Sequence, residues 1–324
     1  MKNLSRHVSV FFNLVLRIPV GALLLAAAVS FASGQDTQTN IAIGQTFASP
    51  DEAVNAMISA ATSRDTNALA GIFGSEFKNI KASDPVEGQN ELTAFVTAAN
   101  ATNHLTYVTD SRWTLETGND RWPFPIPIVR TNGVWFFDTA GGEQEILNRR
   151  IGYNELLALQ SIRAGVEAQR EYASADHSGG EVLEFAQKLL SSPGKKDGLY
   201  WSPEIDGEIS PLGPAFVKAR SEGYLKDAPP DSTPEPFHGY FFKILTRQGK
   251  HAPGGAYNYV INGHMIGGFA FVAWPADYQS SGVMTFIVNQ QGKVYEKDLG
   301  PKTAAIAGAM KKYDPDETWE PSPE

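Results

Sequence analysis

The chain has 324 residues, no cysteine, and 36 acidic against 27 basic side chains, a formal net charge of −9. Without cysteine there is no disulfide, no thiolate nucleophile and no cysteine-based zinc or iron–sulfur centre, so the fold must rest on core burial. The acidic balance argues against nucleic acid or an anionic membrane surface as a partner, because phosphate binding needs a concentrated basic face.

The first segment has the layout of an export signal. Lys2, Arg6 and Arg17 precede an apolar run from Ile18 to Phe31 that is too short to span as a mature helix, and Ala32, Ser33 and Gly34 follow with small side chains. This order predicts a signal peptide over residues 1–34, cut before Gln35. Cleavage removes three basic residues and no acid, taking the net charge to −12. An uncleaved anchor is the alternative, since Val8 to Leu16 is also largely apolar, but Arg17 interrupts that run. The expected location is periplasmic or secreted, with no membrane span after cleavage.

Residues 35–46 read as a polar, loose tail. Ser49-Pro50-Asp51-Glu52 then opens a helix, with a serine cap, proline at the first helical position and acids in the first turn. A second helix is expected over Asp65 to Phe73 and a third over Gly88 to Asn100, with Leu92, Phe95, Val96 and Ala99 on one side. His104 to Thr109 and Trp113 to Glu116 alternate as strands. Ile126 to Arg130 is expected to pair with Val134 to Asp138 across Asn132-Gly133, the pair of residues that best tolerates the positive φ of a tight hairpin. The proline-rich stretch from Trp122 to Pro127 forces extended backbone at an edge. These elements predict a small α+β domain over residues 47–140.

A helical region over Gly141 to Arg150 is expected to weaken at Gly152 and resume from Asn154 to Ala173, with Leu156, Leu159, Ile162 and Val166 on one face. Residues 174–236 are rich in glycine, proline and serine, with helices expected at Glu181 to Leu190 and Pro214 to Ser221. From Phe237 onward, five apolar runs are cut by turn residues: 237–245, 257–261, 267–275, 283–288 and 293–298. They read as successive strands of one antiparallel sheet. The long helix has the right polarity to pack on it, giving a second α+β domain over residues 141–324.

Two resemblances carry enough residues to state, and a third is confined to the opening helices. The opening helix pair resembles the start of nuclear-transport-factor-2-like cone domains. Phe47 to Ala56, Trp122 to Pro127, Trp135 to Thr139, Glu145 to Gly152, Pro193 to Trp201 and His251 to Tyr257 resemble the bacterial exported family catalogued as domain of unknown function 2950. That resemblance implies export in a Gram-negative bacterium and implies no catalytic residue. Asn154 to Arg163, Glu171 to Ser174, Gly239 to Phe242, Ala273 to Pro275 and Gly282 to Gly292 are similar to the globular head of pilins and pseudopilins. It implies a helix on an antiparallel sheet.

Candidate sites are few. Relatives in the exported family tend to carry a more acidic, calcium-type loop at Asp176 to Glu184. Calcium takes six to eight oxygen ligands, and here Asp176, Ser178, Glu181 and Glu184 form only a weak candidate set, so neither a metal nor another cofactor is expected. His238, His251 and His264 lack the spacing of a zinc pair, although neighbouring strands can bring them together. Acid pairs such as Asp197 with Glu204 are abundant by chance, and no catalytic residue is assigned. Aromatic rings combine apolar area with a polar edge, which makes Tyr200, Trp201, Trp122 and Trp135 the candidate ligand-binding residues, above all in the loop from Lys196 to Pro203. The sequence reads as an exported binding or assembly module taking an envelope protein or a small ligand. The alternatives are a periplasmic hydrolase with paired carboxylates and small-ligand capture by the cone-like first half.

Overall fold

Side-chain caps set the starts of the first helices. The computed structural model describes residues 44–177, 179–205, 207–224 and 235–323, so the expected signal peptide, most of the tail and Ser178 lie outside the described residues. Helix α1 (Pro50–Thr62) begins where Ser49 Oγ accepts from the Glu52 amide at 3.1 Å. Helix α2 (Thr66–Phe73) is capped by Asp65, and after the short α3 (Phe77–Ile80), α4 (Pro85–Ala101) is capped by Asp84. The last cap lies ahead of proline, so α4 starts three residues before the expected Gly88.

Strands β1 (Asn103–Thr109), β2 (Arg112–Thr117), β3 (Trp122–Pro123), β4 (Ile128–Thr131) and β5 (Val134–Phe137) form one antiparallel sheet in the order β1-β2-β4-β5, with β3 on β2. Asn132 and Gly133 turn the β4–β5 hairpin at φ of 52° and 85°. Met57, Ile72, Phe73, Leu115, Ile126, Ile128 and Phe137 build a first core between these helices and strands.

Helix α5 (Thr139–Tyr172) is one unbroken helix of 34 residues. The expected weakening at Gly152 does not occur: that residue is exposed on the helix surface, and its cost is only that of replacing a better helix former. Past Gly152, α5 buries Ala158, Ile162, Val166 and Tyr172 in a second core.

The expected helix over Glu181 to Leu190 is absent. Its period was apolar, but buried Gln169 on α5 takes both main-chain groups of Ala186 at 2.8 Å, while Phe185 N donates to Met265 O and Leu190 bridges Tyr200. These tertiary partners draw the segment out as extended chain. Helix α6 (Gly213–Ser221) follows, one residue longer than expected.

The remaining strands are β6 (Tyr240–Leu245), β7 (Arg247–Gln248), β8 (Tyr257–Asn258), β9 (Val260–Ile261), β10 (His264–Met265), β11 (Ala270–Pro275), β12 (Met284–Asn289) and β13 (Val294–Asp298). After the short helix α7 (Thr303–Ala309) come β14 (Lys312–Tyr313) and β15 (Glu320–Pro321). Four of the five expected runs do make one antiparallel sheet, ordered β15-β13-β12-β11-β6. Residues 257–261 do not join it: they split between β8, which pairs β7, and β9, which pairs β10. Helix α5 contacts β6, β11 and β12, and α7 packs on β11, so the central strands are buried on both faces and carry near-continuous apolar runs. The chain is thus α+β, with helices segregated beside antiparallel sheets. No helix among the described residues is long and apolar enough to cross a membrane.

Candidate functional site

A groove of about 870 Å³ opens between α5, the extended segment 189–205, α6 and the start of β6. Its α5 wall includes Leu157, Ile162 and Gly165. Gly165 packs closely there: a Cβ would meet the Phe271 ring at 3.2 Å. Leu189, Trp201, Phe216, Phe242 and Phe271 make the lining largely apolar. Exposed Lys195, Lys218 and Arg220 stand on its margin beside Glu204 and Glu235, and Lys218 lies 3.8 Å from Glu222.

At one end, the groove reaches a polar cluster assembled from four separated segments. His238 Nε2 lies 3.0 Å from Glu222 Oε2, and Tyr224 OH donates to Asp84 Oδ2 at 2.8 Å. The Tyr224 and Phe237 rings flank the imidazole at 5.1 and 4.4 Å. His238 is held at φ 47°, in the left-handed region that few side chains adopt, and is followed by Gly239 at φ 70°. A Cβ at Gly239 would lie 2.8 Å from Asn154 Nδ2, so only glycine lets the chain pass this close to α5. Burial lowers the His238 pKa, with Glu222 acting in the opposite direction. A neutral ring beside an acceptor carboxylate carries its proton on Nε2, which leaves Nδ1 as an acceptor.

Behind this pair sits Glu87, buried on α4, with neither carboxylate oxygen hydrogen-bonded among the described residues. Burial, and then the charge of Glu91, raise its pKa to about 7, while Arg150 and the Asn154 amide oppose the shift. Arg150 is buried on α5, donates to the Ile80 and Lys81 carbonyls at 2.7 and 3.2 Å, and lies 3.6 Å from Glu91. Asn154, one turn on, donates to Ser281 O at 3.1 Å, and its Oδ1 has no donor among the described residues. Sequence reasoning missed these groups, which are charged or polar residues on otherwise ordinary helices. The one local signal was the unusual His-Gly before β6.

The four aromatic candidates separate. Tyr200 and Trp201 line the groove: Tyr200 stacks on Phe216 with ring centroids 3.9 Å apart, and Trp201 is buried with Lys196 Nζ 5.4 Å from its ring. Trp122 and Trp135 belong to the first sheet. Trp122 is exposed under the Arg149 guanidinium at 5.0 Å, and Trp135 is buried and bridged to Phe47.

In the acidic loop, Asp176 accepts from Gly179 N and Glu181 N at 2.9 and 2.8 Å, while Glu184 accepts from Met265 N and meets His264 Nδ1, each at 3.2 Å. These carboxylates serve the chain's own main chain and side chains. His238, His251 and His264 face three different acids, Glu222, Asp314 and Glu184, and among the described residues no three His, Asp or Glu side chains are grouped to hold a metal. Asp197 is taken by Lys188 and Ser192, which overcome its partial burial and hold its pKa down to about 2.

Fold and site together define an α+β protein with an apolar groove ending on a histidine–carboxylate pair. Residues 44–321 match the family described as Protein of unknown function (DUF2950), and the chain belongs to that family. No curated protein and no solved structure matches it.

Proposed function

We propose that this chain is an exported binding module, which takes an amphiphile with an elongated apolar body and an anionic end group in the groove beside Trp201. The observation that carries this reading is the groove itself: about 870 Å³, within the range of pockets that bury small ligands, walled by apolar and aromatic side chains with few polar groups. Its margin supplies Lys195 and Arg220 for the charged end, with Lys218 shared with Glu222. The layering of α5 across β6, β11 and β12 supports the likeness to pilin heads for the second half.

A naturally fluorescent polyene fatty acid is the probe. It should bind saturably, one per chain, and palmitate should displace it. Ala164→Trp places a large ring into the groove from an exposed position on α5, and should weaken binding at least tenfold with an unchanged melting curve. Absence of saturable binding to the unaltered chain would sink the reading. The order basic–apolar–small over residues 1–34 supports export, and amino-terminal sequencing of the protein from a periplasmic fraction should start at Gln35; a retained Met1 in the membrane fraction would refute it.

A further inference from the structure

A second depression, of about 540 Å³, lies where β7, β8 and β14 meet, and it includes no residue that lines the groove. Arg247, Lys250 and Lys312 line it, with Tyr257 and Asn258 as a side wall. β14 runs parallel to β7 with Lys312 opposite Arg247, and β8 sets Asn258 opposite Arg247 on the other flank. Neighbouring strands lie about 4.8 Å apart. Two cations are therefore side by side, an arrangement that destabilises a strand pair unless something negative meets it. Asp314 meets Lys312 at 2.8 Å. Arg247 and Lys250 are exposed, and neither has an ion-pair partner among the described residues.

The frame around these cations is fixed from within. Buried Gln248 donates to the Pro253 and Gly255 carbonyls at 2.7 Å each and accepts from Tyr259 OH at 2.9 Å. Asp314 accepts from His251 N at 3.0 Å, and a Cβ at Gly249 would lie 2.1 Å from the Asp314 carboxylate, so only glycine allows this approach. The main chain that carries Arg247 and Lys250 is thus tied down in advance, which cuts the ordering cost of binding.

We propose that Arg247, Lys250 and Lys312 form a binding site for a phosphate group. A guanidinium fork beside ammonium groups suits an anion that carries close to two charges and presents oxygens in several directions, whereas a carboxylate satisfies the fork alone. An excess of acids elsewhere repels extended anionic surfaces, and a concave local site is where a single phosphate group is held against that field. The phosphate can belong to a soluble compound or to a phospholipid headgroup.

Calorimetric titration of the full chain with pyrophosphate at low salt, and flotation with phosphatidylglycerol or phosphatidylcholine vesicles, distinguish the sources. Saturable pyrophosphate binding should fall at least tenfold in the double variant Arg247→Ala/Lys250→Ala. It should stay unchanged in Lys293→Ala/Lys302→Ala, with the melting curve of each variant as the check on folding. Flotation with phosphatidylglycerol alone, lost in the first variant, assigns a lipid headgroup; pyrophosphate binding without flotation assigns a soluble phosphate. Binding of neither probe, or binding that the Arg247→Ala/Lys250→Ala change leaves intact, overturns the proposal.

Discussion

Glu87→Gln should stabilise the protein at pH 8 and leave its stability at pH 4 nearly unchanged. Folding moves this carboxyl out of water and raises its pKa from about 4.5 to about 7. The folded chain therefore holds a proton that the unfolded chain releases, and this group's contribution to stability is full below about pH 4.5 and is lost progressively as pH rises through 7. At about 1.4 kcal/mol per pKa unit, the loss reaches roughly 3 kcal/mol above that window. Glutamine is neutral throughout, so it escapes the loss. Glu91, Arg150 and Asp84 act on Glu87, and the Tyr224 hydroxyl reaches the same cluster through Asp84. Because other groups titrate too, the informative quantity is the difference between variant and parent in urea denaturation at pH 4, 6 and 8. A difference that does not grow with pH would show that Glu87 is ionised in the folded protein.

Ile162→Asp should cost about 4 kcal/mol and lower the melting temperature by on the order of 10 °C. Ile162 is 1% exposed, on the face of α5 that lies against the second sheet. Gly165, one turn further, already packs onto the Phe271 ring, so the aspartate would bring a charge into an apolar contact without a partner. Ile162→Leu keeps the volume and should fall by less than about 1.5 kcal/mol. Near-parental melting of the aspartate variant would mean that α5 is not packed there.

What could be read from the sequence was local. Ser49 and Asp65 name their own helix starts, and Asn132-Gly133 its own turn, because each signal acts within four residues. Four strands of the large sheet announced themselves by apolar runs between turn residues. The segment from Glu181 to Leu190 misled for the opposite reason: its apolar spacing is helical, and only Gln169, seventeen positions before Ala186, holds it extended. Tyr200 and Trp201 were legible as aromatics on a loop, but not the groove they face. The polar cluster was hidden more deeply still, since Asp84, Arg150, Glu222 and His238 meet only once α5 has brought both cores together. The same holds for Arg247 and Lys312, neighbours through a parallel strand pair and distant along the chain.

The unbroken course of α5 also fixes a length. At 3.6 residues per turn, one inserted residue near Gly152 would rotate everything downstream by about 100° and shift it about 1.5 Å along the axis. Ile162 and Val166 would swing off the sheet while Arg150 stayed on the first core. Two extra turns, about seven residues, would restore the facing but part the cores by about 10 Å. Between Thr139 and Tyr172 the chain therefore tolerates substitution far better than any change in residue count, and homologous recombination within this span should succeed only where the crossover preserves it.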